Sequence, residues 1–201
     1  VADPREAYVV ETAGHEWAIK RVGSALGISN VHSVGTDWGT LSPSAQRVAV
    51  DRGWWPETWE RFDFAQAYAD FPAEETGRGP QRRARSCTLL AAANGVIDLR
   101  TIMGAVADHS NGEDPSEPLQ TDMPSTRAIC MHKGPNSSSN TAATLVADLC
   151  PDGSRLSVYW CSFYSPCLGI FLPTFTEGEL PAVLAEGGRE PNRGSPWWLF
   201  R

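Results

Sequence analysis

The chain has 201 residues, 41% hydrophobic and 20% charged, which is enough for one domain with a substantial core. A formal net charge of -7 argues against a nucleic-acid partner, and there is no run of about 18 apolar residues to cross a membrane. Five cysteines, Cys87, Cys130, Cys150, Cys161 and Cys167, are too few and too irregular for a disulfide framework. They sit in apolar stretches, where a free thiol behaves as a small hydrophobe. Unpaired thiols suit a cytoplasmic setting slightly better than a secreted one and do not by themselves assign a compartment.

In chain order, residues 7–12 alternate as a strand, Ala13-Gly14 turns, and residues 16–22 alternate again, a predicted hairpin. Gly27-Ile28-Ser29-Asn30 ends the following approach in polar residues. Ser42-Pro43-Ser44 carries an N-cap signal for a helix with Ala45, Val48 and Ala49 inward. Trp54-Trp55-Pro56 breaks it. A second amphipathic stretch is expected over 57–68, with Trp59, Phe62 and Phe64 on its apolar side and the tryptophans Trp54, Trp55 and Trp59 in the core. After a polar loop over 72–80, residues 81–93 read as a helix ending at Asn94-Gly95. Asp98 caps another that carries Leu99, Ile102, Met103 and Val106 at helical spacing.

Beyond a Pro-, Gly- and acid-rich loop over 110–124 the period changes. Residues 127–132, 142–149, 156–163 and 168–172 read as four strands of an antiparallel meander, joined by turns such as Pro151-Asp152-Gly153-Ser154. Hairpin, helices and meander together predict an α+β domain with helices layered on antiparallel sheet. Both ends read as cut. Ser195-Pro196-Trp197-Trp198 opens like a capped helix that stops within its second turn, the other reading being a packed tail.

Generic catalytic motifs are absent: there is no G-x-S-x-G, Walker loop, H-E-x-x-H or C-x-x-C pair. The histidines His15, His32, His109 and His132 are scattered. His109, His132 and Cys130 lack the local ligand spacing of a zinc motif, so neither metal nor cofactor is expected.

Several segments, in order, carry a resemblance. They are the opening Val1-Ala2-Asp3-Pro4-Arg5-Glu6-Ala7-Tyr8-Val9-Val10-Glu11-Thr12-Ala13-Gly14, then Trp17-Ala18, then Ile28-Ser29-Asn30. Later come Ile129-Cys130-Met131-His132, Asn140-Thr141-Ala142-Ala143, Val158-Tyr159-Trp160-Cys161-Ser162-Phe163 and Pro166-Cys167-Leu168-Gly169-Ile170-Phe171-Leu172-Pro173. Together they resemble the secernins and related bacterial cysteine dipeptidases, N-terminal-nucleophile hydrolases akin to choloylglycine hydrolases and penicillin acylases.

The resemblance implies a four-layer αββα sandwich. It also implies cleavage of a small peptide or acyl-amide C–N bond by an N-terminal cysteine whose own α-amine acts as base. Val1 has no nucleophilic side chain, and none of the five cysteines here carries a free α-amine. The resemblance therefore places the nucleophile upstream of Val1, and the chain is expected to be inactive by itself. It would need a missing segment, a partner chain or a second copy, both to act and to cover apolar surface.

Two catalytic positions carry over: Asn30 as an oxyanion-hole donor, and Arg82 at a helix start where its charge favours the thiolate. Arg85, one turn from Arg82, together with His132 and Asn140, is a candidate for substrate binding. Two rival readings keep the fold, a non-catalytic scaffold and an acyltransferase or deacylase.

Overall fold

The computed structural model describes residues 1–58, 60–70, 79–93, 95–109, 128–132 and 140–182. The expectations for Trp59, for residues 72–78, Asn94 and 110–124, and for the helix at 195–201 lie outside them. The chain combines helices with two antiparallel three-stranded sheets, in two compact units, 1–91 and 92–201.

The first unit is built on β1 (Tyr8–Ala13), β2 (Glu16–Arg21) and β3 (Thr40–Leu41), hydrogen-bonded in that order. Ala13 pairs with Glu16 across a two-residue turn in which Gly14 takes a φ of 63°. That is the left-handed first position a type II′ hairpin asks of glycine. Strand alternation puts Val9, Glu11 and Ala13 on one face with their partners Lys20, Ala18 and Glu16. Val9 and Ala18 are core residues, while Val10, on the opposite face, is 42% exposed.

The same inward face carries two carboxylates, and each finds donors from sequence that follows. Glu16, buried, accepts from the hydroxyls of Ser42 and Ser44. Glu11 accepts from the backbone amides of Ser33 and Val34, both at 2.8 Å, and from the Ser33 hydroxyl at 2.7 Å. An inward acid left bare would cost several kcal/mol (on the order of 1–3 for the lost hydrogen bonds alone), so these two clamps dictate where the chain runs after β2.

Helix α1 (Ala45–Asp51) begins where the Ser-Pro-Ser signal indicated, but its N-cap Ser44 gives its hydroxyl to Glu16 instead of to the helix amides. The next helix is shorter than expected. In place of 57–68 there is α2 (Phe64–Tyr68), because Asp63, itself extended, caps it by accepting from the Gln66 amide, and residues 60–62 form no helix. Those residues are used elsewhere: the Phe62 carbonyl accepts from the Trp38 indole at 2.7 Å, and Arg61 stacks over the Trp38 ring at 4.0 Å. Phe62, Phe64, Trp55, Val34 and Ala49 centre the core; Trp54 is outside it at 48% exposure. Helix α3 (Gly79–Ala92) closes the unit, two residues ahead of its expected start.

In the second unit, α4 (Leu99–Val106) is capped by Asp98, whose carboxylate accepts from the Thr101 amide at 2.7 Å. It packs near β4 (Ala143–Asp148), which pairs with β5 (Val158–Phe163) and through it with β6 (Leu172–Thr174).

Two of the four expected meander strands need correction. Residues 128–132 form bends tied to neighbours by Cys130 N–H to the Asp108 carbonyl, and by reciprocal bonds between Met131 and Thr141. Residues 166–168 are a turn on the Ser165 carbonyl, so the third strand starts at Leu172 instead of Leu168. No helix among the described residues is long and apolar enough to cross a membrane.

Candidate functional site

The segment after β2 is held by three anchors. Glu11 grips the amides of Ser33 and Val34; the carbonyls of Val34 and Gly35 accept from Ala65 and Phe64; and the His32 ring lies 5.9 Å from that of Phe64. Against this fixed segment comes the start of α3. A Cβ on Gly79 would overlap the Val31 side chain and lie 2.7 Å from the Asn30 carbonyl oxygen. One on Gly27 would overlap the Ser86 hydroxyl and lie 3.0 Å from the Cys87 amide. Two glycines, one on each side, thus let helix and loop approach to backbone contact.

That approach brings Asn30 and Arg82 together, although 52 residues separate them: Arg82 Nη2 donates to Asn30 Oδ1 at 2.8 Å. A guanidinium has only donors, so the atom facing it must be the amide oxygen, and the Asn30 Nδ2 donors point elsewhere. Arg82 is buried at 8% exposure while Asn30 is exposed. Burial pulls the Arg82 guanidinium below its ordinary value, but arginine keeps its charge in proteins. The site therefore sets a buried cation against the amide oxygen of an exposed asparagine, whose Nδ2 is left available as a donor. Arg85, one turn further along α3, is half-buried.

The close approach predicts a stability effect. Gly79→Ala meets a backbone oxygen that cannot swing aside, so strain of about 1–3 kcal/mol should outweigh a helix-propensity gain of up to about 1 kcal/mol. Gly104→Ala, inside α4 with nothing within 4 Å of the new Cβ, should be neutral or stabilising. Urea unfolding of the two variants checks the contrast.

The remaining expected site residues lie in the second unit. Asn140 donates to the Thr141 carbonyl at 2.9 Å and accepts from the Ser165 hydroxyl at 3.4 Å. His132 is at the centre of a cluster of imidazoles and thiols with His109, Cys130 and Cys167, whose ligand atoms all lie within 4.8 Å of one another. His132 Nε2 is 3.0 Å from His109 Nε2, 3.2 Å from Cys167 Sγ and 3.5 Å from Cys130 Sγ, and its Nδ1 is 3.5 Å from the Ser165 hydroxyl.

Burial pushes the Cys130 thiol up to about 12, with the Cys167 backbone amide opposing. Burial first, then the neighbouring His132, holds His109 below its ordinary value. All five cysteines are unpaired. The donor set of two sulfurs and two imidazole nitrogens is one that borderline-soft divalent metals favour.

Sequence reasoning named three members of this cluster and missed Cys167, which lies 35 residues from His132. The only local signal was Cys130-x-His132. Glu11, which positions the Asn30 segment, was missed too; its signal is an acid on the inward face of an otherwise apolar strand. No family model matches the chain.

Proposed function

We propose that this chain is part of a cysteine amidohydrolase of the secernin and dipeptidase type, cleaving a small peptide or acyl-amide C–N bond. The N-terminal cysteine would come from outside residues 1–201. On this reading the antiparallel sheets belong to the four-layer αββα fold that the resemblance implies.

The observation that carries the proposal is the 2.8 Å contact between Arg82 and Asn30, two residues that the resemblance singled out for one site although 52 residues, α1 and α2 among them, separate them in the chain. In the reaction, the cysteine thiolate attacks the carbonyl carbon and the C=O electron pair moves onto oxygen. Asn30 Nδ2 donates to that oxyanion, its direction fixed because Arg82 occupies the amide's other end. Collapse expels the amine, which takes a proton from the cysteine's α-ammonium, and water then hydrolyses the thioester. Arg82 supplies positive charge that favours thiolate over thiol.

Arg82→Ala in the complete protein should therefore raise the pH at which the N-terminal cysteine reacts with iodoacetamide, by about one pH unit or more. Arg82→Lys should restore part of the difference, since it returns the charge without the two-pronged donor. Identical alkylation profiles in all three proteins would remove Arg82 from the site. A complete protein that alkylates normally but turns over no dipeptide or acyl-amide would point to the scaffold reading.

A further inference from the structure

The Arg82–Asn30 site makes no use of the cluster in the second unit, and that cluster has a feature hydrogen bonding does not explain. Three groups converge on one atom, His132 Nε2: the His109 Nε2 at 3.0 Å, the Cys167 sulfur at 3.2 Å and the Cys130 sulfur at 3.5 Å. A ring nitrogen has either one proton or one lone pair, so it can make one good hydrogen bond, not three. Four donor atoms crowded within 4.8 Å have a simpler common cause, a shared centre that each one faces.

We infer that His109, Cys130, His132 and Cys167 bind a zinc ion as a closed, structural Cys2His2 site. Zinc–sulfur bonds near 2.3 Å and zinc–nitrogen bonds near 2.0 Å in a tetrahedron put neighbouring donors about 3.3–3.8 Å apart. The separations of 3.0, 3.2 and 3.5 Å, with none beyond 4.8 Å, need shifts of only a few tenths of an ångström to about one to match that shell.

The surroundings fit as well. Ser165, fully buried, has its hydroxyl 3.5 Å from His132 Nδ1, which leaves Nε2 as the ligand atom, the arrangement by which metal-binding imidazoles are oriented. Cys167 is held in its turn by Gly169, where a Cβ would overlap the Ser162 hydroxyl and lie 3.1 Å from the Phe163 carbonyl. Tyr164, just before that turn, takes a φ of 70°, uncommon for a residue with a side chain, as the chain bends from β5 toward the cluster.

The binding step balances simply. Two thiols and two neutral imidazoles take up Zn2+ and release two protons, giving a site of zero net charge that can stay partly buried. With all four positions filled by protein there is no place for a reacting water, so the ion's work is to pin three separate stretches to one another: the end of α4, residues 128–132, and the turn after β5.

The alternative use of the same atoms, Cys167 as a nucleophile activated by His132, leaves the close approach of His109 and Cys130 without a role.

The test is the metal content of the complete protein purified under reducing conditions, by elemental analysis, followed by anaerobic exchange with cobalt. One zinc per chain is expected, and the cobalt form should show the visible absorption of tetrahedral cobalt with a thiolate charge-transfer band. Cys167→Ser and His109→Asn should each lose the equivalent of metal and the charge-transfer signature or its tetrahedral intensity, while Cys161→Ser, outside the cluster, retains both. If a variant fails to fold, the stoichiometry and cobalt spectrum of the unaltered chain still decide. A metal-free chain that gives no cobalt signature, a Cys130–Cys167 disulfide in the reduced preparation, or full stoichiometry retained in folded Cys167→Ser would each overturn the site. None of these readings depends on hydrolytic activity.

Discussion

In the complete protein, Asn30→Ala is expected to slow acylation about 10²- to 10³-fold, a loss of about 3 kcal/mol of transition-state stabilisation. The donor is aimed at charge that develops on the carbonyl oxygen only as the thiolate attacks. The loss should therefore fall on kcat, with KM little changed.

A structural explanation for the same loss is available, since Asn30 also receives the Arg82 hydrogen bond. Asn30→Asp separates the two. The carboxylate keeps an oxygen facing Arg82 and strengthens that contact, but it has no N–H to donate and repels an oxyanion. Aspartate should thus be at least as damaging to turnover as alanine while leaving the fold as stable or more so. An aspartate variant with near-normal turnover would make Asn30 a partner of Arg82 and nothing more.

The largest effect on stability is expected at Phe64. Its side chain is fully buried in the first unit's core, with its ring 4.7 Å from that of Tyr68 and 5.9 Å from that of His32. Phe64→Ala removes that ring from a packed interior and should cost about 3–5 kcal/mol. Total stabilities of domains are about 5–15 kcal/mol, so such a loss brings the unit close to unfolding at room temperature. Val10→Ala, 42% exposed on the outer face of β1, should by contrast stay within about 0.5 kcal/mol. Urea midpoints for the two variants check the comparison. Because Phe64 also meets the His32 ring, its loss should loosen the segment that carries Asn30 as well as the core beneath it.

Elements with a strong local signal were legible in the sequence. Period-two alternation and Gly14 foretold the first hairpin, Asp98 foretold the start of α4, and the Gln81–Ala93 pattern foretold most of α3. What the sequence hid was decided by tertiary contacts. The apolar residues around Phe62 look helical from Glu57 onward, yet residues 60–63 form no helix, and the Phe62 carbonyl accepts from the Trp38 indole. Residues 128–132 alternate like a strand, yet their backbone bonds go to Asp108 and Thr141 and not to a strand partner.

The candidate sites divide in the same way. Asn30 and Arg82 came from resemblance, since nothing local in either stretch shows that a glycine-lined contact would join them. The thiol–imidazole cluster was half visible as Cys130-x-His132, but its other members are supplied from 23 residues before His132 and 35 after it, a distance at which spacing carries no signal.

The most direct measurement on the proposed function is the intact mass of the complete protein during turnover of a slow acyl-amide or activated acyl substrate. One acyl group per chain is expected, bound as a thioester to the N-terminal cysteine, with more acyl-enzyme at early times in the unaltered protein than in Asn30→Ala. No adduct is expected on Cys87, Cys130, Cys150, Cys161 or Cys167. An adduct on Cys167, or hydrolysis that proceeds with no acylated cysteine at all, would rule out the N-terminal cysteine as nucleophile.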